Sequence, residues 1–340
     1  MIKTQTLQDT EVNHPPTDGI SEIQFSPQAD LLAASSWDNN VRIYEIQTNG
    51  SSVAKAMYSH TGPALSVAWS KDGTKLASGG ADKVGMIFDI TTGQSSQVAQ
   101  HEAPIKVVRW VEQPGTSPIL ATGSWDKTVK YWDLRQQTPI STVALPERLY
   151  AMDSVFPLLV VGTADRHVHV YNLNNPTVPI KAASSPLKWQ TRTVSCFPTG
   201  NGYAIGSIEG RVAIQYADDR DAAKNFSFKC HREGGTTNTR EPTTVYSVNS
   251  INWHPVHHTF TTAGADGSFA FWDKDSRQKL KTFPKVGSPI SSTCFNRTGT
   301  IFAYAVSYDW NKGHEGALPQ SQNKIMLHSV NDNDVKPKKR

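Results

Sequence analysis

From about residue 19 to residue 330 the chain repeats one pattern of apolar and polar positions. It is clearest over residues 119–133, Ile-Leu-Ala-Thr-Gly-Ser-Trp-Asp-Lys-Thr-Val-Lys-Tyr-Trp-Asp. Ile119 to Ser124 is a short apolar run, Trp125-Asp126-Lys127 a tight polar turn. Thr128 to Asp133 alternates outward and inward side chains and ends in Trp132-Asp133. This is the pattern of two antiparallel strands joined by a turn. The same turn recurs around Asp38, Asp82, Asp165, Glu209 and Asp266, and more loosely at Asp309. A period of ~40–45 residues with aromatic-acid endings predicts four-stranded propeller blades. Seven anchors predict seven blades.

The fold class expected is therefore all-β: a seven-bladed WD-repeat β-propeller forming one domain over residues 1–334. Blades are placed at about 19–59, 60–100, 101–145, 146–184, 187–231, 245–283 and 288–330. The last has only three strands of its own, and the strand-like stretch Thr6–Val12 is expected to supply the fourth. An unpaired edge there would be an aggregation hazard. A ring in which each blade buries its faces against its neighbours also lets 340 residues form one domain without one oversized core.

A buried Asp beside each turn can accept hydrogen bonds from turn N–H groups and from a His in the preceding loop. His60 and His101 are suitably placed, with Ser124 and the Trp132 indole completing the group. Ser124, His101 and Asp126 also have the residue types of a hydrolase triad. Parts of the group repeat from blade to blade, whereas an enzyme needs one site, so the structural reading is preferred. His254, His257 and His258 could suggest metal ligands, but Pro255 interrupts them and they read as a loop between strands. No catalytic residue, metal or cofactor is expected.

Composition adds little chemistry. No segment approaches the ~20 apolar residues of a membrane-spanning helix, so no membrane insertion is expected. Cys196, Cys230 and Cys294 are odd in number and lie in separate repeats, which reads as reduced, intracellular thiols. The net charge of +4 is accounted for by a basic C-terminal tail, residues 335–340, holding Lys336, Lys338, Lys339 and Arg340. The remaining body is neutral. The tail could act as an import signal, touch RNA phosphates, or be a solvated end.

Two insertions break the period, Arg232–Thr244 before blade 6 and Asp309–Asn323 within blade 7. Strands of a blade run alternately up and down, so d–a loops and b–c turns emerge on one end of the ring, and both insertions decorate that end. The residue before the anchor is Ala81, Ala164 or Ala265 in three blades but Trp37 and Trp125 in two others. Each indole either folds back on the loop beside it or stands free as an interface anchor. Behind the anchors come Lys83, Lys127 and Arg166, and Arg211 follows Gly210. These are either solvated surface charges or a row of cations for an acidic peptide. Arg211 suits a bidentate carboxylate.

Several stretches resemble the WD-repeat nuclear-pore mRNA export factor family, partner of a GLEBS-containing FG nucleoporin. They are Gly206-Ser-Ile-Glu-Gly-Arg-Val-Ala213, Phe228-Lys-Cys-His-Arg232, Phe271-Trp-Asp-Lys-Asp275, Pro186-Leu-Lys188, Phe302-Ala-Tyr304 and Ser307-Tyr-Asp-Trp-Asn-Lys-Gly-His-Glu315. A sister class, the mitotic-checkpoint propeller, shares the Glu-Gly-Arg-Val-Ala and Phe-Lys-Cys-His-Arg pieces. The 307–315 insertion is similar to the export factors. Trp189-Gln190-Thr191 departs from a stretch often more basic in the family.

The resemblance implies an adaptor that grips an acidic GLEBS segment on its loop face, Arg211 meeting the glutamates. It adds Glu209, Arg232, Trp310 and Lys312 to the partner-binding set. It further implies a place at the nuclear envelope and pore, shuttling with the cytoplasm, and RNA or mRNP contact through basic residues. The candidates for that contact are Lys312, Lys336, Lys338, Lys339 and Arg340. The alternative is a kinetochore checkpoint scaffold using the same face.

Overall fold

A computed structural model describes residues 9–113, 115–234, 242–317 and 322–338. Its framework is seven four-stranded antiparallel sheets. The first, or a, strands are Ile20–Phe25, Ala64–Trp69, Ile105–Val111, Leu149–Val155, Thr191–Cys196, Val248–Trp253 and Ile290–Phe295. Each lies against the a strand of the next blade, and the seventh lies against the first. The a strands therefore wall a central channel, and the b, c and d strands follow outward.

Local sequence explains the nesting of the blades. The b strand of blade 2, Lys75–Gly80, presents Gly79, where a Cβ would stand 2.5 Å from Ile105 of blade 3. Gly123 leaves the same room for Leu149 of blade 4. Apolar residues of adjoining blades then share cores: Val107, Ala121, Val129 and Tyr131 of blade 3 join Met152, Leu159, Val161 and Tyr171 of blade 4. Burial on both faces explains why b strands read as continuous apolar runs rather than alternations.

The ring closes as expected. Thr10–Glu11 pairs antiparallel with Lys324–Ser329, the c strand of blade 7, and Val12 N–H donates to Ile325 O at 2.8 Å. Val12 is buried with residues of blades 1 and 7. Asp9 accepts from Tyr304 Oη at 2.7 Å and meets His328 Nδ1 at 2.7 Å. Positions 6–8 of the expected strand lie outside the described residues.

Every a strand carries a register shift at the same place. The shifts span Ile20/Glu22, Ala64/Ser66, Ile105/Val107, Leu149/Ala151, Thr191/Thr193, Val248/Ser250 and Ile290/Ser292. A bulge leaves one residue unpaired and re-aims its side chain. The residues so released, Ser21, Leu65, Lys106, Tyr150, Arg192, Asn249 and Ser291, all line the channel.

The C-terminus departs from the expected tail. A short helix, Asp332–Val335, follows blade 7. Val335 is 1% exposed in a core shared by blades 6 and 7, and its carbonyl accepts from Thr259 Oγ1 at 2.7 Å. The exposed basic residues therefore begin at Lys336, itself 3.8 Å from Asp332, because Val335 has apolar contacts to gain between two blades.

Candidate partner-binding face

All seven turn anchors stand between b and c strands, so they share one end of the ring. The residue after each anchor is left-handed: Asn39, Lys83, Lys127, Arg166, Gly210, Gly267 and Trp310 have φ between 61° and 73°. That geometry suits glycine, and holding a side chain there costs about 1–2 kcal/mol. At Gly210 a Cβ would meet Cys230 O at 2.6 Å. Lys83, Lys127 and Arg166 occupy the same conformation with long cationic side chains, all exposed. Strained positions filled by charge are a mark of a functional surface.

Beneath the turns the His–Asp units are structural. His101 Nδ1 meets Asp126 Oδ2 at 2.7 Å, and its Nε2 meets Thr122 Oγ1 at 2.7 Å, which accepts from the Trp132 indole at 2.8 Å. The hydroxyl is thus that of Thr122, not Ser124. Ser124 lies two residues nearer the turn, where it donates to Ala103 O and accepts from Asp126 N–H. Burial lowers the His101 pKa despite Asp126. Burial alone would raise that of Asp126, but hydrogen bonds from Thr128 and His101 hold it low.

His60 builds the equivalent unit with Asp82 and Ser78. A third, His231 with Asp266, Thr262 and Trp272, was hidden by the 232–244 insertion, which lengthens the His-to-Asp spacing. Among the described residues no His, Cys, Asp or Glu group is placed to hold a metal. His254 is instead buried and bonded to Gly299 O at 3.1 Å.

Arg211 sits at the start of the blade 5 c strand with its side chain one-third exposed. Its Nε lies 3.8 Å from Glu209 Oε2, and it donates no hydrogen bond to a described residue. Glu209 Oε1 is buried without a hydrogen-bond partner among the described residues. Arg232 fastens the turn, donating to Glu209 O at 2.7 Å and Gly210 O at 3.3 Å. With Pro186, Leu187, Lys188 and Ser227 these residues line a groove of about 320 Å³. Three cations and one carboxylate thus share the groove.

The other candidates divide. Lys127 pairs with Glu147 at 3.3 Å, and Arg166 donates to Lys188 O at 2.7 Å, which links it to the Arg211 groove. Trp125 is 37% exposed. Trp37 is not free-standing: it stacks on Trp310 from the blade 7 insertion, centroids 4.4 Å apart. Lys312 is exposed on the same end.

Lys336 and Lys338 are exposed but follow a helix tied to Thr259 in an a–b loop, at the opposite end of the ring. The structure therefore does not bring Lys312 together with the tail. Lys339 and Arg340 lie outside the described residues.

Two apolar side chains escaped the sequence reading. Trp189 is 57% exposed and Ile208 40% exposed. They are neighbours, since Ile208 N–H donates to Gln190 O at 3.2 Å, and both adjoin the Arg211 groove. Ile208 stands before its anchor, as Trp125 does before Asp126, so the turn alignment carried that signal. Trp189 lies in a d–a loop with no repeat to mark it.

This fold and its repeated turn units define a WD-repeat propeller. Residues 94–133 and 239–273 match the WD domain, G-beta repeat family, and residues 23–113 match the Anaphase-promoting complex subunit 4 WD40 domain. The chain is 60% identical to the Poly(A)+ RNA export protein of Schizosaccharomyces pombe, covering 97% of this chain and 93% of that protein. It is 52% identical to the mRNA export factor GLE2 of Chaetomium thermophilum, covering 97% and 92%. It is 46% identical to Protein Rae1 of Drosophila melanogaster, covering 98% and 97%. The chain belongs to this mRNA export factor family.

Proposed function

We propose that this chain is a non-enzymatic adaptor in mRNA export that docks the acidic GLEBS segment of an FG nucleoporin on its b–c face, at the nuclear pore. The observation that carries the reading is Arg211: a planar cation that donates no hydrogen bond to a described residue, lies 3.8 Å from Glu209, and is set in a groove with Lys188 and Arg232. Lys83, Lys127 and Arg166 continue the positive arc, and Trp125, Trp189 and Ile208 supply exposed apolar contacts beside it. Charge sets register and on-rate, while buried aromatics supply affinity. A free guanidinium fork recognises a carboxylate through two parallel hydrogen bonds.

Contact with RNA is a separable part of the reading. Lys336 and Lys338 would offer phosphate contacts at the end of the ring away from the peptide, so one partner need not displace the other. Such binding is electrostatic and weakens with salt.

The test is calorimetric titration of the chain with a synthetic GLEBS-segment peptide. Arg211→Ala is expected to weaken binding at least about tenfold, and Arg211→Glu more, with the circular dichroism spectrum unchanged. Wild-type affinity in a folded Arg211→Glu protein would overturn the assignment.

A further inference from the structure

The seven bulged residues form a rim where the channel opens onto the b–c face, because each is the second residue of a strand that follows a d–a loop. Ser21, Leu65, Tyr150, Asn249 and Ser291 are not cationic, which leaves Lys106 and Arg192. Arg192 is held: Nη2 donates to Asp309 O at 2.9 Å and Nε to Asn249 Oδ1 at 3.3 Å. Lys106 makes no hydrogen bond or ion pair with a described residue.

The nearby carboxylates are engaged elsewhere. Glu22 uses Oε1 for Arg109 at 2.8 Å and Oε2 for Ser66 Oγ and Val67 N–H. Asp153 receives Arg109 Nε at 3.1 Å and Cys196 N–H at 2.7 Å. Asp309 Oδ2 accepts from Asn249 Nδ2 at 3.0 Å. Glu22 and Asp153 thus share Arg109, and Lys106 is a rim ammonium with no direct partner among the described residues.

We propose that Lys106 is the receptor for a single carboxylate of the acidic segment, seated in the channel mouth as a second anchor apart from Arg211. This rests on the docking reading above. The channel cavity, about 170 Å³, has room for the end of a Glu or Asp side chain. Burial, with Arg192 and Arg109 nearby and against the pull of Glu22, lowers the Lys106 pKa to about 8. An arriving carboxylate would relieve the desolvated ammonium, so the interaction carries a pH signature.

Tyr150, Arg192, Arg109, Glu22, Asp153 and Asp309 also face this region, so the variant set must isolate the lysine. Binding of the GLEBS-segment peptide is measured from pH 7 to pH 9 for wild type, Lys106→Met and Lys106→Arg. Wild type is expected to weaken as pH rises through 8 and the lysine loses its proton. Lys106→Met is expected to bind roughly tenfold more weakly at pH 7, with no such step. Lys106→Arg is expected to bind well at both ends, since arginine stays charged.

A Lys106→Met protein that matches wild type at pH 7 overturns the assignment, as does a Lys106→Arg protein that keeps the wild-type pH step. If Arg211→Glu still abolishes binding in that event, the docking reading survives and only the channel anchor fails. Absence of peptide binding by wild type would overturn both.

Discussion

Trp37 of blade 1 and Trp310 of the blade 7 insertion stack at 4.4 Å between ring centroids and 24° between planes. They join the first and last blades at the b–c end of the ring, beside Gly19. Aromatic pairs contribute about 0.5–1.5 kcal/mol beyond the area they bury. We expect Trp310→Ala to lower unfolding free energy by about 1–3 kcal/mol. A double-mutant cycle with Trp37→Ala should show strong coupling. Additive losses would mean that the stack does not fasten the seam.

Trp125 and Trp189 have no such aromatic partner among the described residues. Truncating either to Ala should leave the melting temperature nearly unchanged yet cost about 2 kcal/mol in affinity for the acidic segment. Calorimetry on the two single variants checks this. A fall in stability with affinity intact would instead make them structural.

Lys127 holds a left-handed backbone at φ 66°, and its ammonium is held there only by the exposed pair with Glu147 at 3.3 Å. Lys127→Gly should raise stability by up to about 1 kcal/mol, the released strain being partly offset by the greater entropy of the unfolded chain. Peptide on-rate should drop at low salt. Chemical denaturation and stopped-flow association provide the two readouts.

The Thr122 hydroxyl serves His101 and the Trp132 indole together. Thr122→Val keeps the shape and leaves those groups without a partner, at a cost of about 1–3 kcal/mol. Denaturant titration of Thr122→Val beside Ser124→Ala would separate the roles, the first being expected to lose more.

His254 has Nδ1 accepting from the backbone N–H groups of Val256 and His257, and Nε2 facing Gly299 O. That arrangement requires a neutral ring, and burial lowers its pKa to about 4. Below about pH 6.5 the unfolded chain takes up a proton that the folded chain refuses. Stability should therefore fall by on the order of 2 kcal/mol as pH drops from 6.5 towards 4. His254→Gln should flatten that part of the stability–pH curve, and an unchanged slope would reassign it.

The repeat was legible because its signals are local. Strand alternation, tight turns at Asp38, Asp82 and Asp126, and aromatic strand ends such as Trp132 all depend on neighbours within one blade. Ring closure could be reasoned too, since a three-stranded last blade needs an edge partner and Thr10–Glu11 was available. The His–Asp units at His60 and His101 followed from a His that opens the blade in the loop before its Asp turn. The one at His231 did not, because an insertion separates its members along the chain.

The sequence by itself determined the blades, their number, and the end of the ring that carries the cations at 83, 127, 166 and 211. Each of these follows from strand direction and local register. Only the tertiary structure decided which side chains remain available. Trp37 is consumed by Trp310, which lies at the far end of the sequence. Trp189 and Ile208 become neighbours through the loop that enters blade 5 and the b–c turn of that blade, and Lys106 has no direct partner among the described residues because Glu22 and Asp153, from blades 1 and 4, bind other groups. Availability is a property of everything that surrounds a side chain in space, and in a closed ring those surroundings come from blades that the chain order separates.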